Sequence, residues 1–419
     1  MHRCISISNT AAAAAAIAAA ATLPPLVSLP AGAAGCAYAL WHAHRHAAAL
    51  ENVVSEADLL GSAERYARAA LHSIAAQPPE RYGWALLAGH AGVYCAGALL
   101  LSASAALAQR QGREGAAAQL QGEAAEAVRH FCALQRLACS AACEEDEVLY
   151  GRSGYLLGCL LLNKHLGAGS VPAPAMQAVV DAIIQSGRSL AGRLREPATF
   201  PTPLFYIWPP GPDGSPYLGA AHGPMGRRAA RGSGSPLYYF WHDKPYLGAA
   251  HGMTGILYAL LHVPDLVAAI PGAQADVEGA LRYVLTLECD AEGSRGQGGH
   301  YPTQMGPWRD REPLVHWCHG ATGAVFLFCK AHEQLGDPAY LAAAQRSGEA
   351  VWQRGLLKKW LHRARQFALF MDSPEFRQGA RTPDHPHSLY EGDAAAVCLW
   401  ADLLGDPERA GFPMFEIDV

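Results

Sequence analysis

The chain has 419 residues, 51% of them hydrophobic and 16% charged, with a net charge of −5. That charged share lies well under the roughly 25% of an average soluble domain, and so apolar a chain is not a disordered one. The acidic balance excludes a basic nucleic-acid footprint, and eleven cysteines, odd in number and scattered, read as reduced thiols of a reducing compartment rather than a disulfide framework.

Residues 1–30 are low-complexity, with an alanine-rich run over 11–21 followed by Leu23-Pro24-Pro25. Two readings stay open: a targeting peptide, for which the single Arg3 is a poor n-region, or a disordered start. Further on, no stretch offers about 20 unbroken apolar residues free of Gly, Pro and charge, so no membrane-spanning helix is expected.

From there one pattern recurs. Gly-x-x-Gly opens a run of apolar, helix-forming residues at Gly32-Ala-Ala-Gly35, Gly89-His-Ala-Gly92, Gly151-Arg-Ser-Gly154, Gly252-Met-Thr-Gly255 and Gly320-Ala-Thr-Gly323. Gly392-Asp-Ala-Ala395 is a decayed copy. The apolar runs cover 36–41, 93–101, 155–162, 256–261, 324–329 and 397–404. The first glycines are separated by 57, 62, 101, 68 and 72 residues. The long interval holds a repeat of its own: Pro-Tyr-Leu-Gly-Ala-Ala-His-Gly occurs at 216–223 and again at 245–252, displaced by 29. Without those 29 residues the interval is 72, so residues 216–244 read as an inserted duplication.

Between the glycine motifs lie amphipathic segments at 124–137, 176–194, 274–287 and 340–356, with apolar residues at three- and four-residue spacing. Each repeat is therefore one apolar helix and one polar-faced helix. A helix apolar all round must be buried. Alternation at this period predicts an all-α fold, the inner and outer rings of an α/α toroid, over residues 31–419; an open solenoid is the competing repeat form. Glycines at the inner helix starts permit sharp turns and leave the N-termini open at one mouth.

The residues with chemistry cluster at those turns: His90, Arg152, His251, Cys318 and His319, with Glu391 close to the last. Cys318-His319 suits zinc, because thiolate and imidazole are good ligands for it, but adjacent residues cannot supply a tetrahedral site alone. The plainer reading is a buried cysteine and a capping histidine. His251 is a general acid/base or a turn histidine. Lys358, Lys359 and Arg381-Thr-Pro-Asp384 add cations that also fit a solvated surface.

Together these motifs resemble the eukaryotic lanthionine synthetase C-like (LanC-like) family. The resemblance rests on Tyr-Leu-Gly-Ala-Ala-His-Gly at 246–252, Leu-Val-His-Trp-Cys-His-Gly at 314–320 and Gly-Leu-Leu-Lys-Lys at 355–359. Arg-Thr-Pro-Asp at 381–384, Ser-Leu-Tyr-Glu-Gly at 388–392 and Phe-Pro-Met-Phe-Glu at 412–416 extend it. It implies a seven-fold α/α toroid with one zinc at its mouth, and addition of a thiol, glutathione in the eukaryotic members, to dehydroalanine or dehydrobutyrine in peptides or proteins. By resemblance Cys318 is a zinc ligand, His251 the acid/base at the enolate, and Lys359, Arg381, Thr382, Pro383 and Asp384 the glutathione-binding positions. Zinc lowers a thiol's pKa, and glutathione's two carboxylates call for paired cations. The implied location is cytoplasmic, with peripheral membrane association as the alternative.

The chain departs from the family in three respects: Ala395 stands where the second Gly of the last repeat belongs, the alanine-rich start replaces the family's N-terminal portion, and one zinc motif is lacking. A second Cys-His-Gly, which would supply the other two zinc ligands, is absent after His319; Lys359 runs directly into Trp360. One hairpin is therefore expected to be missing and one ligand of three to remain, which is short of a catalytic zinc site. Two functional classes follow: a thiol-addition enzyme impaired in this chain, or a non-catalytic LanC-like scaffold that binds glutathione. A toroid glycosidase ranks last, because it needs a convergent carboxylate pair.

Overall fold

The computed structural model describes residues 32–51, 54–75, 79, 82–141, 143, 145–193, 207–208, 217–218, 247–291, 293–294, 296–302, 313–354, 371, 374–379, 388–390, 392–407 and 410–417. In chain order the helices are α1 (Ala33–His44), α2 (Ala47–Leu50), α3 (Glu56–Ala75), α4 (His90–Arg110), α5 (Glu114–Ala133), α6 (Gln135–Ala138), α7 (Arg152–Leu166) and α8 (Ala173–Arg193). They continue as α9 (Met253–Leu261), α10 (Pro264–Ala268), α11 (Ala273–Leu285), α12 (Ala321–Leu335), α13 (Pro338–Arg354), α14 (Pro374–Gly379) and α15 (Asp393–Leu404). One antiparallel ribbon pairs β1 (Ile207–Trp208) with β2 (Tyr217–Leu218). β2 lies in the first copy of the duplicated motif; the rest of 216–244 falls outside the described residues. The described residues form two compact units, one drawn from within 1–134, 157–171 and 359–419, the other from within 135–156 and 172–358.

In the first unit α1 packs on α3, α4 and α15, and α4 packs on α3 and α5. The glycine-led helix α1 is buried all round: every residue from Ala33 to Ala43 is buried. The polar-faced helices bury a single stripe, as Leu120, Ala124, Ala127 and Phe131 do in α5. That stripe follows the three- and four-residue spacing of a helix face. Burying one Leu or Phe side chain fully is worth about 1.5–3 kcal/mol, so these faces hold the unit together. Helix α5 begins ahead of the segment read from periodicity, because its first half is rich in alanine and poor in large apolar residues. Alanine's helix propensity extends the helix where no hydrophobic stripe marks it.

Helix α4 is long and apolar enough to cross a membrane, with a mean hydropathy of 1.7 despite Gly92 and Gly97 inside it. In the fold 78% of that window is buried, as in the core helix of a bundle.

In the second unit α9 is entirely buried and packs on α11 and α12, and α12 packs on α13. The motif glycines act mainly through close backbone approach rather than through special dihedrals. A Cβ on Gly154 would fall 2.0 Å from the Val148 carbonyl oxygen, and one on Gly255 2.0 Å from that of Ala249. The preceding turn therefore folds directly onto the first turn of the helix, and no larger residue fits there.

Candidate functional site

Three turns of the second unit come together. Residues 247–252 lead into α9, and Gly252 N–H donates to the Gly248 carbonyl at 2.8 Å. Residues 314–320 lead into α12; Val315 pairs with Gly320, and Thr322 Oγ1 donates to the Val315 carbonyl at 2.6 Å. The two turns touch at Gly248, where a Cβ would lie 1.9 Å from the Cys318 carbonyl oxygen. The third turn, 145–151, is joined by Val148 N–H and Leu149 N–H, which donate to the Ala250 carbonyl at 3.2 and 3.3 Å.

This brings His251 against Glu147: His251 Nδ1 lies 3.1 Å from Glu147 Oε2, with side-chain exposures of 11% and 4%. The Tyr150 ring stacks over His251 at 6.3 Å between centroids, and His319 lies at 6.4 Å. Glu147 also accepts the Leu149 N–H at 2.9 Å and the Tyr150 N–H. Burial pushes the Glu147 carboxyl up to about 8, against the opposing pull of those backbone N–H groups. Burial pushes the His251 imidazole down to about 3. Both shifts favour the neutral forms, in which a Glu147 hydroxyl would donate to Nδ1 and leave the imidazole proton on Nε2. A neutral Nε2–H backed by a second proton on Glu147 is a general acid with a relay behind it.

Arg152, which the sequence left without a role, is a structural strap. Its Nη1 pairs with Asp146 Oδ1 at 2.7 Å, its Nε donates to the Ala138 carbonyl at 2.8 Å, and its Nη2 donates to the Cys143 carbonyl. The guanidinium fixes the 143–151 turn that carries Glu147. His90 is buried at the first position of α4, in the first unit.

A profile of the lanthionine synthetase C-like protein family matches residues 26–362. The chain belongs to the lanthionine synthetase C-like family. It is 33% identical over 298 residues to "Glutathione S-transferase LANCL1" of Danio rerio, over 65% of this chain and 62% of that one. The LanC-like chain thus matches less than two thirds of that relative's length. Among solved structures it is similar to nisin cyclase, with a TM-score of 0.54 and 14% identity, over 92% of this chain and 89% of that chain. This likeness shows the fold, and nisin cyclase is an α/α toroid, so the all-α toroid class expected from the sequence is borne out.

Zinc at Cys318 is tested by the donors around it. A zinc site needs three or four N, S or O donors about 2.0–2.3 Å from the ion. Among the described residues Cys318 belongs to no group of three such donors. Burial also raises its thiol above the ordinary range, whereas a ligand must be thiolate. The described donor set does not fit zinc. Lys359, Arg381, Thr382, Pro383 and Asp384 lie outside the described residues, as does Glu391. Sequence reasoning missed Glu147. The signal was available: an acidic run, 144–147, directly before Gly151 in a chain with few charges.

Proposed function

We propose that this LanC-like chain binds glutathione and a peptide or protein carrying dehydroalanine or dehydrobutyrine, and that His251 with Glu147 handles the proton of a thiol addition that is impaired by the poor donor set at Cys318. The glutathione S-transferase name of the zebrafish relative supports the thiol partner. The observation that carries the proposal is the buried His251–Glu147 pair beside the Cys318-His319 turn.

In that reaction the glutathione thiolate sulfur bonds to the β-carbon of the dehydro residue. The β-carbon's π electrons move to the α-carbon and carbonyl as an enolate. His251 Nε2–H gives its proton to the α-carbon, and the Glu147 proton passes to Nδ1. Histidine stays neutral, and the new carboxylate is held by the backbone N–H groups of Leu149 and Tyr150. The proton released by the next thiol restores Glu147. General acid help of this kind is worth about 10²–10⁴ in rate.

The test incubates the purified chain with glutathione and a dehydroalanine peptide and follows the adduct by mass spectrometry. The expected result is a rate about 10²-fold above the uncatalysed one, insensitive to added zinc, that falls to the uncatalysed rate in His251→Asn. A wild-type rate equal to the uncatalysed one refutes the catalytic proposal. The second reading, a non-catalytic glutathione-binding scaffold, is favoured by the raised Cys318 thiol; it predicts calorimetric binding of glutathione without turnover. Ten described cysteines, none of them in a disulfide, support a reducing, cytoplasmic setting for either.

A further inference from the structure

The first unit holds a second cluster of ligand-type side chains. His42 Nε2 lies 2.6 Å and His46 Nε2 3.1 Å from the same oxygen, Asp402 Oδ1. One donor atom from each residue lies within 4.8 Å of the others, and among the described residues this is the only such group of three. His42 and His46 come from the last turn of α1 and just beyond it, Asp402 from the last turn of α15. His42 and Asp402 are each 3% exposed.

We propose that His42, His46 and Asp402 bind one divalent transition-metal ion, zinc before others, which ties the first described helix of the chain to the last. Two imidazole nitrogens and one carboxylate form a donor set that zinc and its first-row neighbours take readily, with a fourth position left for water. The spacing is close to what an ion needs. Bonds of about 2.0–2.1 Å at tetrahedral angles hold the donors roughly 3.3 Å apart. The cluster reaches this by opening the His42–Asp402 distance by about 0.7 Å and the His46–Asp402 distance by about 0.2 Å. The two imidazole rings already stand 5.7 Å apart and tilted by 55°, so both nitrogens can face one point without stacking.

Two further features favour an ion over a bare hydrogen-bonded triad. Asp402 is a buried carboxylate whose hydrogen-bonded partners here are imidazoles, and a buried charge calls for a compensating one. A divalent ion supplies it and displaces the hydrogen bonds it replaces. Second, the seat of His46 is built. At Gly405, just past α15, a Cβ would fall 2.0 Å from His46 Nδ1, so the ring rests on bare backbone at the same helix end that supplies Asp402. The site is independent of the thiol chemistry proposed above, and loss of glutathione activity leaves it untouched.

The test uses the full chain, stripped with a chelator and titrated with cobalt(II) and then zinc. The expected result is one cobalt per chain with visible d–d bands and no thiolate-to-cobalt charge-transfer band, identical in Cys318→Ala. Saturating zinc should raise Tm by about 3–5 °C. His46→Gln, at the more exposed ligand, should weaken binding at least tenfold and cancel the Tm gain; Asp402→Asn does the same with little change of shape. No bound ion, or a charge-transfer band that disappears in Cys318→Ala, overturns the proposal. So does undiminished binding in a folded His46→Gln chain. The wild-type spectrum decides the matter even where a variant fails to fold.

Discussion

Replacing Glu147 by Gln isolates the titration of one buried carboxyl. Glu147 moves from 4.5 in the ordinary case to about 8 in the fold. Between those values the folded chain holds a proton that the unfolded chain has released, so stability falls as pH rises. His251 moves the other way, from 6.5 to about 3, and its contribution is lost as pH falls through that window. The two slopes cancel between 4.5 and 6.5 and leave a plateau. Above it only Glu147 acts, below it only His251. Each pH unit is worth about 1.4 kcal/mol, so wild type should lose roughly 3 kcal/mol relative to Glu147→Gln between pH 5.5 and 7.5. Both side chains are almost fully buried, so solvent screening takes little from this figure. Urea unfolding of both proteins, followed by circular dichroism across that range, measures the difference, and titrations elsewhere cancel in it. A difference that does not change with pH, or one that grows in favour of wild type, would show Glu147 ionised and the proton relay wrong.

Gly255→Ala drives a methyl to 2.0 Å from the Ala249 carbonyl and should cost about 2–3 kcal/mol or more in urea unfolding; a change under 0.5 kcal/mol would mean that the turn yields freely. Arg152→Met leaves Asp146 buried and unpaired and should cost about 3–5 kcal/mol, whereas Asp146→Asn with Arg152→Met together should recover part of that loss. Purely additive effects in the double-mutant cycle would deny the pair its role as a strap. His251→Asn should leave the fold intact by circular dichroism while removing any glutathione adduct formed above the uncatalysed rate, and loss of structure instead would place His251 in the packing.

The helices were legible because two periodicities carry them: all-apolar runs after Gly-x-x-Gly became α1, α4, α7, α9, α12 and α15, and striped runs became α5, α8, α11 and α13. His251 and Cys318 were singled out by their motifs, and the fold brings those motifs together at Gly248. Glu147 was not, because an acidic run in a turn is the ordinary sign of a solvated loop, and only the Ala250 hydrogen bonds turn it inward. Arg152 was placed beside the chemistry, but its donors are spent on Asp146 and two carbonyls. The His42, His46 and Asp402 cluster was invisible for a simpler reason. Its partners are 360 and 356 residues apart, and no local pattern joins them.

The two clusters differ in what they ask of a metal ion. At Cys318 an ion must first displace a proton from a thiol that burial has made harder to ionise, and no described pair of donors repays that cost. At Asp402 the carboxylate is already held below its usual range by hydrogen bonds to His42 and His46, burial notwithstanding, so it need not be deprotonated to ligate. Metal affinity at Cys318 should therefore fall steeply below neutral pH. Supplying a Cys-His-Gly hairpin between Lys359 and Trp360 would change the first term, because two added donors and a thiolate complete a set. A chain so altered should gain a second cobalt(II), with the charge-transfer band that the parent lacks. If that hairpin added no thiolate-bound ion, Cys318 would be a core cysteine and the His251–Glu147 pair would have to work without a metal beside it.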